Sequence, residues 1–358
     1  MVCDEASELE SEIVSEYTCE VRFEQLKHLI GSFDVTPSSE DNHDEWWLWL
    51  SNIYKMVSTE LGIVNNKMEE MKREKKKIPA SMISRLSQLS DISDEMRTAL
   101  EAWDLTDYII ERSDKSITFK PFQVNLLAKS FFGESGTIVL MSATIVDVKR
   151  FARTLGINEY YFIDAPCTLD PKKAPIVCSP DTYISYKTKN QVLPVIMEKI
   201  RKIMKKFPNK KGLVHTHSME FLRYFKNNIN DETNRFIYRE DGVVNEAVLS
   251  AHSQSSEPTV MVSPSMTHGI DLKGELGEFQ IIMKAPYPPL GDARVKKKFD
   301  LDKQWYTNCM LSTLIQASGR CNRVKSDESV TFIMDANALE AIKRNRNILP
   351  KYFLDRLI

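Results

Sequence analysis

The 358-residue chain contains no Gly-Lys dipeptide, and therefore no Gly-x-x-x-x-Gly-Lys-[Ser/Thr] loop. Such a loop cradles nucleotide phosphates on backbone N–H groups and a lysine, so these residues lack that means of holding a triphosphate. There is no Cys-x-x-Cys pair either: Cys3, Cys19, Cys167, Cys178, Cys309 and Cys321 are scattered. Zinc and iron–sulfur sites need clustered thiolates, so neither is expected within this stretch. The six cysteines read instead as reduced, buried or half-buried thiols of a cytoplasmic or nuclear protein that is not secreted. No apolar run approaches the ~18 residues that span a bilayer, so no membrane partner is expected. The first 20 residues hold seven acidic and no basic residues, the reverse of a signal peptide's cationic start.

What is present reads as an ordinary folded protein. At 42% hydrophobic and 27% charged residues, the chain has material for the cores of two or three domains. Its net charge of −2 hides a division. Residues 146–358 hold 33 Lys/Arg against 24 Asp/Glu, and the first 145 residues are correspondingly acidic. A basic half permits a polyanion partner, although the same surplus describes a solvated face.

Texture changes along the chain. Between residues 21 and 115 glycine is scarce and helical periodicity dominates. Trp46, Leu50, Ile53, Val57 and Leu61 recur every three or four residues, and "MEEMKREKKK" has acid-before-base spacing such as Glu69 to Arg73. This block is expected to be helical throughout, with an exposed antiparallel arm. From residue 116 short apolar runs alternate with helical stretches: "GTIVLMSAT", "KGLVHTHS", "PTVMVSPSMTHG", "FQIIMKAP" and "SVTFIMD". The helix over 190–207 would turn Val192, Ile196, Ile200, Ile203 and Phe207 to one side. The alternation predicts an α/β fold, a parallel sheet covered on both faces with ligands gathering at the carboxyl ends of its strands.

Taken singly, the polar strand tails are ambiguous. "VCDEAS" ends a predicted strand in Asp4 and Glu5, which suit Mg²⁺ and an attacking water or equally the solvated start of a helix. In "LMSAT", Ser142 and Thr144 are also ordinary turn formers. "QASGRCNR" puts Gln316, Gly319, Arg320 and Arg323 near a helix end. The two guanidinium groups suit charge building on a transferring phosphoryl group, or cap the helix C-terminus. His215 and His217 in "VHTHS" share a side of a strand without an acidic or thiol neighbour, so packing or backbone contact is favoured over a metal. "WWLWL" (46–50) offers bases a stacking surface, but its helical spacing favours the core. "RVKKK" (294–298) follows a Pro-rich turn and reads as a phosphate contact, whereas the lysines of "KKFPNKK" (205–211) also complement a helix dipole.

The order of these stations is more specific than any one of them. Asp-Glu-Ala, Ser-Ala-Thr, Gly-Ile-Asp (269–271) and Gln-x-x-Gly-Arg-x-x-Arg resemble motifs II, III, V and VI of superfamily 2 helicases. The helical block between the first two, the phrase "SMTHGIDLKGELGEFQIIMKAPYPPLGD" and "SATIVDVKRFARTLGI" resemble the XPD/DinG group. The resemblance implies the end of a first RecA-like domain (1–20), a helical arch-like insertion (21–115), the last strand of the first domain (116–145) and a second RecA-like helicase C-terminal domain (146–358). It implies ATP and Mg²⁺ as cofactors, with Asp4 on the Mg²⁺ and Glu5 on the water. Gln316, Arg320 and Arg323 would meet the γ-phosphate, and Gly269, Asp271 and Gly319 would contact the nucleotide. Ser142, Ala143 and Thr144 would couple nucleotide to strand, and Thr216, Ser218, Thr267 and Arg294 would touch single-stranded or forked DNA. Ser7 stands where the family carries His, which puts that coupling in question.

The P-loop, and any iron–sulfur cluster, would lie upstream of residue 1. The expected function is ATP-dependent DNA unwinding by a fragment or subunit lacking the P-loop, with the resemblance implying 5′ to 3′ movement along a single strand. The alternatives are a non-catalytic nucleic-acid-binding or regulatory protein, and a split helicase completed in trans by a separate P-loop-bearing polypeptide.

Overall fold

A computed structural model describes residues 1–33, 36–37, 42–133, 136–229, 234–240, 242–265 and 272–358. The chain forms two compact units, both discontinuous in sequence. Unit 1 comprises Met1–Ser142, Lys149–Tyr160 and Leu290–Lys297; unit 2 comprises Ala143–Val148, Tyr161–Pro289 and Lys298–Ile358.

In unit 1, β1 (Val2–Cys3) pairs in parallel with β5 (Val139–Leu140). Beside them α1 (Leu9–Glu16), α5 (Asn125–Phe132) and the end of α6 (Val148–Thr154) bury Leu9, Ile13, Leu127, Ala128 and Leu155. A second core lies under a long hairpin of α3 (His43–Arg73) and α4 (Ala80–Glu101), with α2 (Phe23–Ile30) alongside. Trp46, Leu50, Ile53 and Val57 are fully buried there and Trp49 nearly so, so these residues serve packing, while Trp47 and Leu48 of the same run are exposed.

The expectation of an all-helical block fails at its edges. β2 (Cys19–Arg22), β4 (Ser116–Pro121) and β3 (Tyr108–Arg112) form an antiparallel sheet in the order β2-β4-β3. β4 turns Ile117 and Phe119 inward, and Phe119 packs its ring 5.8 Å from Trp46. These strands are short, and the strong helical periods around them hid a two-residue alternation. The run "GTIVLMSAT" that leads into Ser142 forms β5, which pairs in parallel with β1, while β4 belongs to the antiparallel sheet. Among the cysteines, Cys167 is exposed, contrary to expectation.

Unit 2 is built on six parallel strands in the order β6-β11-β10-β7-β9-β8. They are β6 (Ile176–Cys178), β7 (Gly212–His215), β8 (Phe236–Tyr238), β9 (Val260–Ser263), β10 (Phe279–Ile282) and β11 (Val330–Ile333). α7 (Lys189–Lys206) and α8 (Met219–Asn228) cover one face, burying Ile196, Ile200 and Phe225 against Val214, Val262 and Ile281. α11 (Lys303–Ser318), α12 (Ala336–Arg344) and α13 (Lys351–Leu354) cover the other, against Ile176, Ile282 and Ile333. α9 (Asn245–Gln254) packs near β8 and β9, and α10 (Ala293–Leu301) begins in the segment that returns to unit 1. Every residue of β7, β9 and β10 is buried, which is why these runs are apolar rather than alternating.

Gly212 opens β7 where space is tightest. A Cβ there would lie 2.5 Å from the Phe279 ring, which is itself stacked on Phe207 with centroids 4.9 Å apart. The ring is fully buried and has nowhere to move. Gly212→Ala is therefore expected to destabilise unit 2 by about 1–3 kcal/mol, read as a lower denaturant midpoint with an unchanged slope.

Candidate functional site

In unit 1 the loop after β1 is clamped at both sides by backbone bonds. Met141 N–H donates to the Cys3 carbonyl and Ala6 N–H to the Met141 carbonyl, both at 2.8 Å. Asp4 and Glu5 lie between these clamps and are exposed. Glu5 has a left-handed backbone (φ 50°, ψ 40°), and its N–H donates to Asp4 Oδ1 at 2.9 Å. A non-glycine residue in that region costs ~1 kcal/mol or more, so the turn holds the carboxylates against a local preference. Ser142 Oγ donates to Ser7 Oγ at 3.0 Å. The residue replacing His thus still meets the Ser-Ala-Thr segment directly.

These groups fit one of the two implied cofactors. Among the described residues no three His, Cys, Asp or Glu side chains are grouped to hold a metal. An exposed Asp with a neighbouring Glu suits Mg²⁺ that keeps most of its waters and shares phosphate oxygens. The triphosphate itself has no Gly-Lys cradle among these 358 residues.

In unit 2 the Gln-x-x-Gly-Arg segment ends α11. Gln316 and Arg320 are buried, while Arg323 is exposed. α11 stops at Ser318, so the two arginines lie in the turn beyond it and not on a shared helical face. The turn is fixed from several sides. Gln280, fully buried in β10, donates from Nε2 to the Ser318 carbonyl at 2.7 Å and to Thr331 Oγ1 at 2.9 Å. Arg356 donates to the same carbonyl from Nη2 at 2.9 Å, and to the Ala174 carbonyl from Nε at 2.7 Å. Its burial pushes the guanidinium down to about 10. Asp327 accepts from the N–H groups of Arg323 (2.7 Å), Val324 (2.8 Å) and Gly274 (2.9 Å), which ties the next turn. Gln316 Nε2 is enclosed without a hydrogen-bond partner. Gly319 has φ −88°, and a Cβ there would meet nothing closer than 3.5 Å, so neither backbone nor packing demands glycine.

At the carboxyl end of β7, His215 Nε2 lies 3.3 Å from Gln280 Oε1, and the His215 and His217 rings stack at 5.8 Å. Burial pushes His215 down to about 4, with Arg320 adding to the effect. Burial likewise pushes His217 down to about 3, aided by His215 and Lys284. Both are neutral side chains that pack, in line with the non-metal reading.

Several expected contacts are placed differently. Thr216 is fully buried, with Oγ1 donating to the Ser218 carbonyl at 3.2 Å, so it orders the loop instead of facing a strand of DNA. Ser218 caps α8, its Oγ accepting from Phe221 N–H at 3.1 Å. Arg294 is buried in unit 1, paired with Glu10 at 2.6 Å and donating to the Pro121 carbonyl at 2.9 Å. Burying an arginine requires such partners, and they leave its guanidinium committed to the fold. Lys297 and Lys298 lie over Phe122 and Trp305, at 4.6 and 4.7 Å. Thr144 is buried, its carbonyl accepting from Ser312 Oγ at 3.0 Å, and the Ala143 carbonyl accepts from the Tyr352 hydroxyl. Thr267, Gly269 and Asp271 lie outside the described residues. Sequence reasoning missed Gln280 and Arg356. A lone Gln inside "FQIIM" was the available signal, because a buried amide must have partners.

The helicase C-terminal domain family matches residues 200–355. No curated protein matches the chain. Among solved structures it is similar to an XPD helicase, at 17% identity and a TM-score of 0.57, over 97% of this chain and 66% of that one. It is similar to the Xpd4 structure from S. tokodaii at 14% identity and a TM-score of 0.57, over 98% and 74%. A structure titled as the apo form of XPD matches at 17% identity and a TM-score of 0.59, over 97% and 75%. The chain thus spans about two thirds to three quarters of the length of these structures. At such identities the likeness is one of fold. Unit 2 has the RecA-like parallel sheet, flanked by helices, of a helicase-type domain, and the resemblance to superfamily 2 holds at that level.

Proposed function

We propose that the chain is the part of an XPD/DinG-like, ATP-dependent DNA helicase that carries the Mg²⁺–water carboxylates and the charge-stabilising arginine. Arg320 carries this reading. It is buried beside a Ser318 carbonyl held by two further side chains, with a partnerless Gln316 amide and a dispensable Gly319 next to it. Such a turn is built to hold a guanidinium in place before charge develops, which is how phosphoryl transfer is assisted. Asp4 would take one position on a hydrated Mg²⁺, Glu5 would orient the water, and Ser7 with Ser142 would pass the state of that site to the coupling segment. Bound ATP would supply the phosphoryl group, and single-stranded or forked DNA would be the track, followed 5′ to 3′.

The purified chain is expected to hydrolyse no ATP above background, with or without single-stranded DNA, because the phosphate cradle is not among its residues. Turnover should appear when a P-loop-bearing RecA-like domain of the same helicase type is supplied in trans. Robust hydrolysis by the chain alone would refute the assignment of the missing cradle. The lack of a Gly-Lys loop also favours a second reading, a nucleic-acid-binding module without turnover. That reading gains if DNA binds but the added domain restores nothing.

A further inference from the structure

The hairpin of α3 and α4 ends in a turn whose chemistry the site above does not use. Residues 67–77 hold six Lys/Arg against three Glu, within a first 145 residues that are otherwise acidic. Lys72 pairs with Glu69 at 2.7 Å and Lys76 with Glu74 at 2.7 Å. Glu69 was expected to pair with Arg73, but the salt bridge goes to Lys72. Lys67, Arg73, Lys75 and Lys77 are exposed and form no salt bridge with any described residue. Lower on the same hairpin two of the three Lys/Arg are compensated, Arg85 by Glu60 and Arg97 by Asp94, while exposed Lys55 forms no salt bridge with any described residue.

The turn that presents these charges is ordered. Lys76 N–H donates to the Met71 carbonyl at 2.9 Å and Lys75 N–H to the Lys72 carbonyl at 3.0 Å, the paired bonds of a Schellman C-cap. In that motif the residue with left-handed backbone is usually glycine, because a Cβ there costs ~1 kcal/mol or more. Here it is Lys75, at φ 58°. Folding alone would be served better by Gly or Asn, so the turn keeps a cation where the backbone disfavours one. Meanwhile Ile78 and Met82 pack inward on the hairpin core, and the exposed large apolar side chain nearest the turn in sequence is Ile83, with Ile63 further down α3.

We infer that this tip is a contact for a nucleic-acid phosphodiester backbone. Protein partners are held by a contiguous desolvated apolar centre, which the isolated Ile83 and Ile63 do not make, whereas phosphate backbones are held by cations that displace counterions. The inference rests on the proposed reading of the chain as a nucleic-acid motor, and adds an electrostatic grip on residues outside the helicase motifs.

The test uses the full chain and a fluorescein-labelled dT30 strand, with affinity measured by anisotropy from 50 to 200 mM salt. In the tip variant, Lys67, Arg73 and Lys77 become Gln and Lys75 becomes Asn, which tolerates its backbone. The variant should bind at least tenfold more weakly at 50 mM salt, and the slope of log K against log salt should shrink by about 3, from four lost contacts at ~0.7 each. Lys75→Asn alone should weaken binding while leaving the melting temperature the same or higher. A control with Lys202, Lys205 and Lys206 of α7 changed to Gln, also exposed cations, should change affinity less than twofold. The inference falls if the parent chain does not bind dT30, if tip and control variants lose affinity equally, or if the tip variant binds like the parent. It falls as well if labelled polyglutamate binds the parent more tightly than dT30 at matched charge and is lost in the tip variant, which would identify an acidic protein partner. Failure of the tip variant leaves the motor reading intact. Failure of Arg320→Ala to affect restored turnover would sink the motor reading without moving the tip result.

Discussion

Arg320→Ala is expected to lower ATP turnover by 10³-fold or more in the assembly restored with a P-loop domain, as removal of an arginine finger does (about 10³–10⁵). The loss should lie in kcat, with dT30 affinity within about twofold of the parent. The position of the side chain explains why. It is only 4% exposed, and it follows a carbonyl that Gln280 and Arg356 hold from two other elements. The backbone that carries the buried guanidinium is thus anchored, which lowers the reorganisation needed when charge develops. Arg320→Lys should not rescue turnover, because a point charge on a flexible stem does not reproduce a planar fork. Truncating a buried cation can also weaken the fold, so the melting temperature of each variant is needed beside its rate. Turnover that survives Arg320→Ala in a folded protein would show that Arg320 is not the finger.

Acid should unfold unit 2 early, and His215 and His217 should be the cause. Burial holds the two at about 4 and about 3, whereas an unfolded chain protonates near 6.5. Between those values the unfolded state binds more protons, so stability rises with pH. The contribution is complete above about pH 6.5 and is lost as pH falls through the folded values. While both groups differ fully between states, the slope approaches about 2.7 kcal/mol per pH unit, two protons at ~1.36 each. The charged groups facing the pair reinforce the sign: Arg320 acts on His215 and Lys284 on His217, and both oppose protonation. Guanidinium midpoints should hardly change between pH 8 and 7 and fall steeply between pH 6 and 4. Carboxylates elsewhere add to any acid transition, so the informative quantity is the difference from a variant. His215→Gln with His217→Asn should flatten the curve; Asn suits position 217, whose φ is 55°. Superimposable curves for parent and variant would rule the pair out.

The parts of this molecule that were legible in its sequence are those where one period dominates a long window. α7 shows its apolar stripe over 18 residues, and β7, β9, β10 and β11 show as apolar runs because a parallel sheet buries both faces. The antiparallel sheet was not legible. β2 and β3 are four and five residues long and flank helices of 22 and 31, whose periods overwhelm them. Two of the missing strands, β6 and β8, have only three residues each and carry almost no pattern. For the candidate site, residue types and order singled out Asp4, Glu5, Gln316 and Arg320 as candidates, but not what surrounds them. Gln280 reaches Ser318 across 38 positions and Arg356 reaches Ala174 across 182, and no local pattern encodes such meetings. Arg294 misled for the complementary reason. Basic residues after a Pro-rich turn suggest a surface, and only the folded chain brings Glu10 to pair with it.

That last pairing sets an order of events during synthesis. Glu10 and Arg294 are 284 positions apart, and Lys120 likewise meets Asp292 across 172. Unit 1 therefore gains its final segment, Leu290–Lys297, only after five of the six strands of unit 2 have been made. At about 5–20 residues per second, Glu10 waits roughly 15–60 s for its arginine. Throughout that interval unit 1 is unfinished, with Glu10 lacking its arginine and the Pro121 carbonyl lacking its donor. A nascent chain stalled before residue 290 would leave Glu10 without that partner indefinitely, so quality control should recognise unit 1 even when the defect lies in residues made long after most of it.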